Sequence, residues 1–406
     1  MEILYNFSVS AKTNEGFRSD IQGLRVIAVL LVVLYHFDFG VSGGYLGVDM
    51  FFVISGYVIG ASALREIKQT ATFDWRRFYR RRIRRLLPAS ALVAVVTLVA
   101  AMLVLSPFGT QQLTMRMLQS AAFYSTNLFL LKTDYLSLAG TENPLIHFWS
   151  LAVEEQFYFI WVPVVLLTVS VTRKINTKAM KNFLVFFGFV VMFFSFALLV
   201  LLTTREVDVE KWWGFRKLAV NGISPSSLAF YLPLSRGWEF MAGAFLSLYH
   251  FRQEAQSRRV WVAASWSLVA MSLFSIGLWR IHNLTSAEGL LATHMDAFSI
   301  LLIVSATVLI IHSGRSNSPV SKFLGSEPLV YLGDLSYGIY LWHWPIWVVL
   351  GKIYGHSVGT TSFAIILTLL LSAAQFKFFE QPIRDGQKLS VRAPFILSAF
   401  LLSSQC

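Results

Sequence analysis

The sequence predicts an all-α integral membrane protein. It has ten transmembrane helices, an amphipathic extracytoplasmic segment between the third and fourth, and a partial eleventh helix at the end. Three observations carry this. Hydrophobic residues make up 55% of the 406 residues and charged ones only 14%, against roughly a quarter charged in a soluble domain. Apolar runs recur at about the twenty-residue length that a ~30 Å hydrocarbon core asks of a helix. The formal charge of +12 sits in short clusters between these runs, the pattern of a positive cytoplasmic face and not of a nucleic-acid surface. A water-soluble enzyme and a disordered regulator are thereby excluded, because neither hides so much apolar surface.

The runs follow in order. Ile21–Phe39 opens the series, and no small-residue cleavage site follows it, so no cleaved signal peptide is expected. Leu46–Leu64 comes after Gly40–Gly47, a glycine-rich outer loop that reads as a flexible turn leading to Asp49. Leu86–Ser106 follows a dense basic cluster. Leu113–Leu131 is interrupted by Arg116, Gln119, Ser120, Ser125, Thr126 and Asn127; it reads as amphipathic and lying at the outer face. Leu145–Val169, Phe183–Leu202, Leu228–His250, Val260–Ile281, the short Ala297–Ile311, Leu329–Leu350 and Thr361–Phe379 complete ten spans. With Leu113–Leu131 left out of the membrane, most of the 34 basic residues fall on the side of the amino terminus, which is therefore read as cytoplasmic. Residues 1–16 read as a polar tail, 17–384 as one membrane domain, and 385–406 as a basic linker leading into a partial eleventh helix. Cys406 is the single cysteine, so intrachain disulfides, Cys-based zinc sites and a thiol nucleophile are not expected.

Ionisable residues inside spans are costly and are functional candidates by default. Arg25 and His36 are eleven residues apart, three helical turns, so both lie on one face about 16 Å apart along the axis. Arg25 also reads as snorkelling to lipid phosphates and His36 as a hydrogen-bonded core residue. In the fourth span His147, Ser150, Glu154 and Tyr158 fall at i, i+3, i+7 and i+11, a polar stripe on an apolar helix. Glu155 lies about 100° off the stripe, so Glu154 is the preferred partner for His36: a nearby carboxylate would orient the imidazole for general-base chemistry. Arg76–Arg85 holds seven arginines in ten positions. It reads as a lipid anchor, or as a phosphate-binding surface because the guanidinium fork matches phosphate oxygens. Arg236 and Glu239 at i, i+3 read as a structural ion pair, and His343 as a ligand or as a packed residue with one hydrogen bond. No phosphate-cradling glycine loop, zinc-spaced histidine pair or nucleophile elbow is present.

Taken in order, these stretches resemble acyltransferase family 3, bacterial integral-membrane acyltransferases that O-acylate surface carbohydrates. Arg25-x10-His36 resembles the family's Arg/Lys-x10-His signature. Gly47–Tyr57 resembles its second-helix motif, with Tyr57 where Phe is common. Arg82-x-x-Arg85 before Leu86-Leu87-Pro88, His147–Tyr158, Arg236–Glu239, Ser336–Pro345 and Phe379–Pro382 fall in family order, over roughly residues 17–384. The resemblance implies an enzyme of the bacterial inner membrane that takes an acetyl group from cytoplasmic acetyl-CoA, without a metal. It passes the group toward a surface polysaccharide, with lipopolysaccharide O-antigen expected and peptidoglycan the alternative. It implies His36 as the catalytic histidine, as nucleophile or general base, and Arg25, Arg82 and Arg85 as CoA contacts. Relatives with this signature often continue into an eleventh helix and an extracytoplasmic SGNH hydrolase-like domain; this chain reads as a truncated form of such a protein or as one served by a separate SGNH partner. From a different class, a transporter with Arg25, His36 and Glu154 lining a path would move substrate without consuming acyl-CoA.

Overall fold

The computed structural model describes residues 18–132, 143–174, 178–203, 225–253, 260–288, 296–316 and 318–384. The predicted polar tail, basic linker and partial eleventh helix lie outside the described residues. Within them the chain is helical, with no strand.

The helices are α1 (Ser19–His36), α2 (Gly47–Thr70), α3 (Trp75–Val104), α4 (Thr110–Ala122), α5 (Thr126–Lys132), α6 (Phe148–Lys174), α7 (Lys178–Thr203), α8 (Pro225–Tyr231) and α9 (Pro233–Arg252). They continue with α10 (Val260–Glu288), α11 (Ala297–Ser313), α12 (Pro319–Leu324), α13 (Glu327–Tyr354), α14 (Val358–Gln375) and, after a π-helical turn, α15 (Gln381–Arg384). Eight helices among the described residues are long and apolar enough to cross a membrane: α1, α2, α3, α6, α7, α10, α11 and α14. The sixth and ninth predicted runs correspond to α9 and α13, of 20 and 28 residues, whose buried polar residues lower their hydropathy. Leu113–Leu131 breaks at Tyr124, where φ is +50°, into α4 and α5 of 13 and 7 residues, too short to span.

Burial is inverted relative to a soluble protein. Phe186, Phe193 and Phe194 on α7, and Trp261 and Trp279 on α10, are exposed, as expected where hydrocarbon is the surrounding solvent. In contrast α1 and α2 bury more than half of their residues, against 11% of the eighteen-residue apolar stretch of α7. α1 is the spine: its residues enter two separate apolar clusters, one with α3, α6 and α13 and one with α2, α9 and α11.

Small residues set the close crossings, as is usual between membrane helices. The turn predicted over Gly40–Gly47 is present at Gly40, whose φ is +73°, but the last two glycines of the stretch serve packing. A Cβ at Gly44 or Gly47 would collide with the backbone carbonyls of Leu31 or Ala28 on α1, so these glycines permit tight packing of α2 on α1. Gly333 likewise lies against the Gln22 backbone. That contact fixes the register of α13 along α1 and carries His343 to the level of His36.

Candidate active site

α1, α2, α3, α6 and α13 wall a cavity of ≈ 570 Å³, within the range of small-molecule sites. One end is rich in arginine. α1 and the residue before it supply Arg25 and Arg18, α2 supplies Arg65, and α3 supplies Arg77, Arg81, Arg82 and Arg85. The α3 set follows from where that helix starts. Its N-cap, Asp74, accepts the backbone N–H groups of Arg76 and Arg77 at 2.9 and 3.1 Å, so the whole basic stretch is helical. Spacings of three and four then place Arg77, Arg81, Arg82 and Arg85 on one face. Arg76 turns away and lies over the Trp75 ring at 5.3 Å. Four of the seven clustered arginines thus face the cavity. Glu66 is tied down beside them, one oxygen 3.1 Å from Arg81 and the other accepting the Asp74 N–H at 2.9 Å.

The other end carries hydroxyls. Ser55, Glu154, Ser150, Ser336, Tyr337 and Tyr340 line it. Glu154 accepts from Ser55 Oγ at 2.6 Å and from the Tyr158 hydroxyl through the same oxygen. The Arg82 guanidinium lies 4.9 Å above the Tyr158 ring. Tyr340 donates its hydroxyl to the His147 carbonyl at 2.9 Å and accepts from Ser150 Oγ at 2.6 Å.

A cluster of three histidines lies past Tyr340. His36, half-buried at the end of α1, has Nδ1 2.9 Å from Nε2 of His343, with the rings stacked 5.1 Å apart and Trp344 alongside at 4.7 Å. The fully buried His343 has its Nδ1 2.6 Å from the Tyr340 carbonyl. His147 stands just before α6, its ring 5.6 Å from that of His343 and its Nε2 3.0 Å from the Leu341 carbonyl. That carbonyl needs a partner because Pro345, four residues on, has no N–H to give it. Tyr340 connects the two regions: its ring lines the cavity, and its carbonyl holds His343.

Several sequence expectations are altered by this geometry. The predicted Glu154–His36 pair is not made; Glu154 is held by Ser55 and Tyr158, and the hydrogen-bond partner of His36 is His343. The polar stripe of α6 survives, with Ser150 and Glu154 on the cavity, Tyr158 on Glu154 and His147 at the histidines. Glu155 faces a smaller, largely apolar cavity bounded by Leu87, Leu118 and Phe148. Arg236 and Glu239 pair at 3.3 Å, but Arg236 also pairs with Asp49 of α2 at 2.9 Å. None of these three lines the main cavity.

Sequence reasoning passed over Arg18, whose guanidinium bonds Asp20, the Tyr57 hydroxyl and the Ile311 carbonyl. It also passed over Tyr340, which reads as core in an apolar helix, and a second histidine pair, His250 Nε2 to His312 Nδ1 at 2.9 Å, joined to Tyr57 at 3.1 Å. Among the described residues no group of three or more His, Cys, Asp or Glu side chains is arranged so that it could hold a metal ion, the three histidines included.

The chain is similar to YrhL of Bacillus subtilis (strain 168), whose name places it with the peptidoglycan O-acetyltransferases, at 32% identity over 93% of this chain and 56% of that protein. It is similar to the peptidoglycan O-acetyltransferase OatA of Listeria monocytogenes at 28% over 90% of this chain and 56% of that protein. It resembles the O-acetyltransferase OatA of Staphylococcus aureus at 28% over 90% and 57%. The chain therefore spans a little over half the length of these curated relatives. No solved structure matches it. The match that covers most of the helices described above is to the acyltransferase domain model, over residues 18–375, and the chain belongs to that family of multi-pass membrane proteins.

Proposed function

We propose that this chain is the donor-side membrane unit of an O-acetyltransferase. It takes the acetyl group of cytoplasmic acetyl-CoA and delivers it toward a hydroxyl of a peptidoglycan-class glycan on the far side. The observation that carries this reading is the polarity of the ≈ 570 Å³ cavity: seven arginines at one end, hydroxyl groups at the other, and the His36–His343 pair immediately past Tyr340. A polyphosphorylated nucleotide thioester has the matching shape, with its charge at one end and its reactive group at the other. Planar guanidinium forks hold phosphate oxygens in pairs, and a pantetheine arm of about 15 Å bridges from Arg25 toward His36. In this reading Arg25, Arg82 and Arg85 bind the phosphates and His36 acts at the thioester carbonyl. Glu154 belongs to the cavity wall, where the sequence alone had placed it in catalysis.

The positive-inside rule puts the arginine-rich end and the amino terminus in the cytoplasm, and a bacterial cytoplasmic membrane is the proposed location. The named relatives favour peptidoglycan over O-antigen as the acceptor class. An SGNH-type domain, on the same polypeptide or on a partner, passes the group onward in this proposal, after this unit has esterified a first acceptor hydroxyl. The test is acetyl-CoA turnover by the purified chain in detergent, wild type beside His36→Ala and Arg25→Ala, with CoA binding followed by calorimetry. Thiol release that depends on His36, with binding weakened by Arg25→Ala, supports the reading. Turnover and binding indifferent to both substitutions would overturn it.

A further inference from the structure

The proton positions of the histidine cluster follow from its acceptors. A backbone carbonyl only accepts, so the 2.6 Å contact between His343 Nδ1 and the Tyr340 oxygen requires the His343 proton on Nδ1. The Nε2 of neutral His343 is then a lone pair. It faces His36 Nδ1 at 2.9 Å, so His36 must donate, and its own proton is fixed on Nδ1. The remaining nitrogen, His36 Nε2, is left bare. His147 takes no part in this chain, because its Nε2–H is committed to the Leu341 carbonyl. The other titratable side chains packed against the pair are Tyr340 on α13 and Tyr35, whose ring lies 5.3 Å from that of His36.

We propose that His343 is a positioning residue that holds His36 in the tautomer with Nε2 unprotonated, and that His36 thereby serves as general base toward the acceptor hydroxyl. This rests on the acyltransferase reading above. In the step, the acceptor O–H bond breaks and its proton goes to His36 Nε2 while the oxygen bonds to the acyl carbon. The C–S bond then breaks, and the sulfur leaves as the CoA thiol carrying the proton from Nε2. His343 stays neutral throughout. It performs with an imidazole lone pair the orienting task that a carboxylate performs in other base–orienter pairs.

Three substitutions at 343 separate this from packing. His343→Gln puts an amide oxygen near the place of Nε2 and keeps the acceptor for His36. His343→Asn keeps the donor toward Tyr340 and loses that acceptor. His343→Leu loses both. The measurement is acetyl-CoA-dependent thiol release by the full chain, with a soluble N-acetylglucosamine oligomer supplying the hydroxyl and calorimetry of CoA checking the fold. The expected result is a kcat lower by about a hundredfold in the Asn and Leu variants, KM for acetyl-CoA within threefold of wild type, and at least tenfold recovery in the Gln variant. Equal kcat in the Gln and Asn variants, or a loss confined to KM, overturns the proposal; if the Leu variant does not fold, the Gln–Asn contrast decides alone. His36→Ala run in parallel tells the two levels apart. Full turnover without His36 removes the catalytic reading itself, whereas a dead His36→Ala beside unimpaired 343 variants removes only the role of His343.

Discussion

Arg236 on α9 and Asp49 on α2 meet at 2.9 Å with each side chain 1% exposed. Glu239, one turn further along α9, closes on the same guanidinium at 3.3 Å. The rings of Phe52 and Phe230 flank it at 5.6 and 6.0 Å. The cluster joins α2 and α9 one to two turns from their close crossing, where Gly56 lies against the Phe240 backbone and Gly243 against that of Val53. Its effect is to fix which turns of the two helices face each other.

Removing one member of a buried ion cluster leaves the others uncompensated, at a cost of about 3–5 kcal/mol. Arg236→Met is therefore expected to destabilise the protein by that order. The triple substitution Arg236→Met, Asp49→Asn, Glu239→Gln recovers most of the loss, because no orphan charge remains. Thermal unfolding in detergent measures both. A single variant as stable as wild type would show that the cluster does not brace the crossing.

The arginines of α3 divide by face. Arg82→Gln or Arg85→Gln is expected to raise the Kd for CoA ten- to a hundredfold, the loss of about 1.5–3 kcal/mol per charge-assisted contact. Arg76→Gln, which alters the same net charge on the opposite face, leaves Kd within about threefold. Calorimetry at one fixed ionic strength distinguishes this from a diffuse electrostatic effect, in which all three substitutions weaken binding alike.

That division marks how far the sequence could be read. Hydropathy and spacing were enough to place the long helices, eight of which among the described residues are long and apolar enough to span, the one-face relation of Arg25 and His36, and the polar stripe of α6, because each depends only on helical period within one segment. The partner of His36 depends on where α13 lies along α1, and that is set by the backbone contact between Gly333 and Gln22, a tertiary fact with no periodicity. Glu154 was matched to His36 on chemistry alone, yet two hydroxyls on α2 and α6 claim it first. The glycines of the Gly40–Gly47 loop were legible only in part: Gly40 sits in the turn that composition signals, whereas Gly44 and Gly47 are needed because a carbonyl of α1 passes where a Cβ would be.

Glu154 offers a direct check on that reassignment. Gln at this position still accepts from Ser55 and Tyr158, so Glu154→Gln is expected to fold and to keep kcat within about threefold. Removal of a negative charge from a cavity lined by seven arginines then lowers the Kd for CoA. A general base at Glu154 predicts the reverse, with kcat falling a hundredfold or more. Steady-state kinetics with acetyl-CoA, plotted for kcat and KM separately, decide between them.

The Pro345–His147 relationship predicts a thermodynamic coupling. Pro345 leaves the Leu341 carbonyl without its helical donor, and His147 Nε2 supplies the bond from another helix at 3.0 Å. His147→Ala in the wild-type background strands a buried carbonyl, which costs about 1–3 kcal/mol. In a Pro345→Ala background the new N–H reaches the same carbonyl from within α13, so the carbonyl stays satisfied and the penalty for His147→Ala shrinks. A double-mutant cycle on unfolding free energy is expected to give an interaction of about 1 kcal/mol in that direction. Strict additivity would mean that His147 is held by its ring contacts with Tyr340 and His343 and not by the carbonyl that proline exposes.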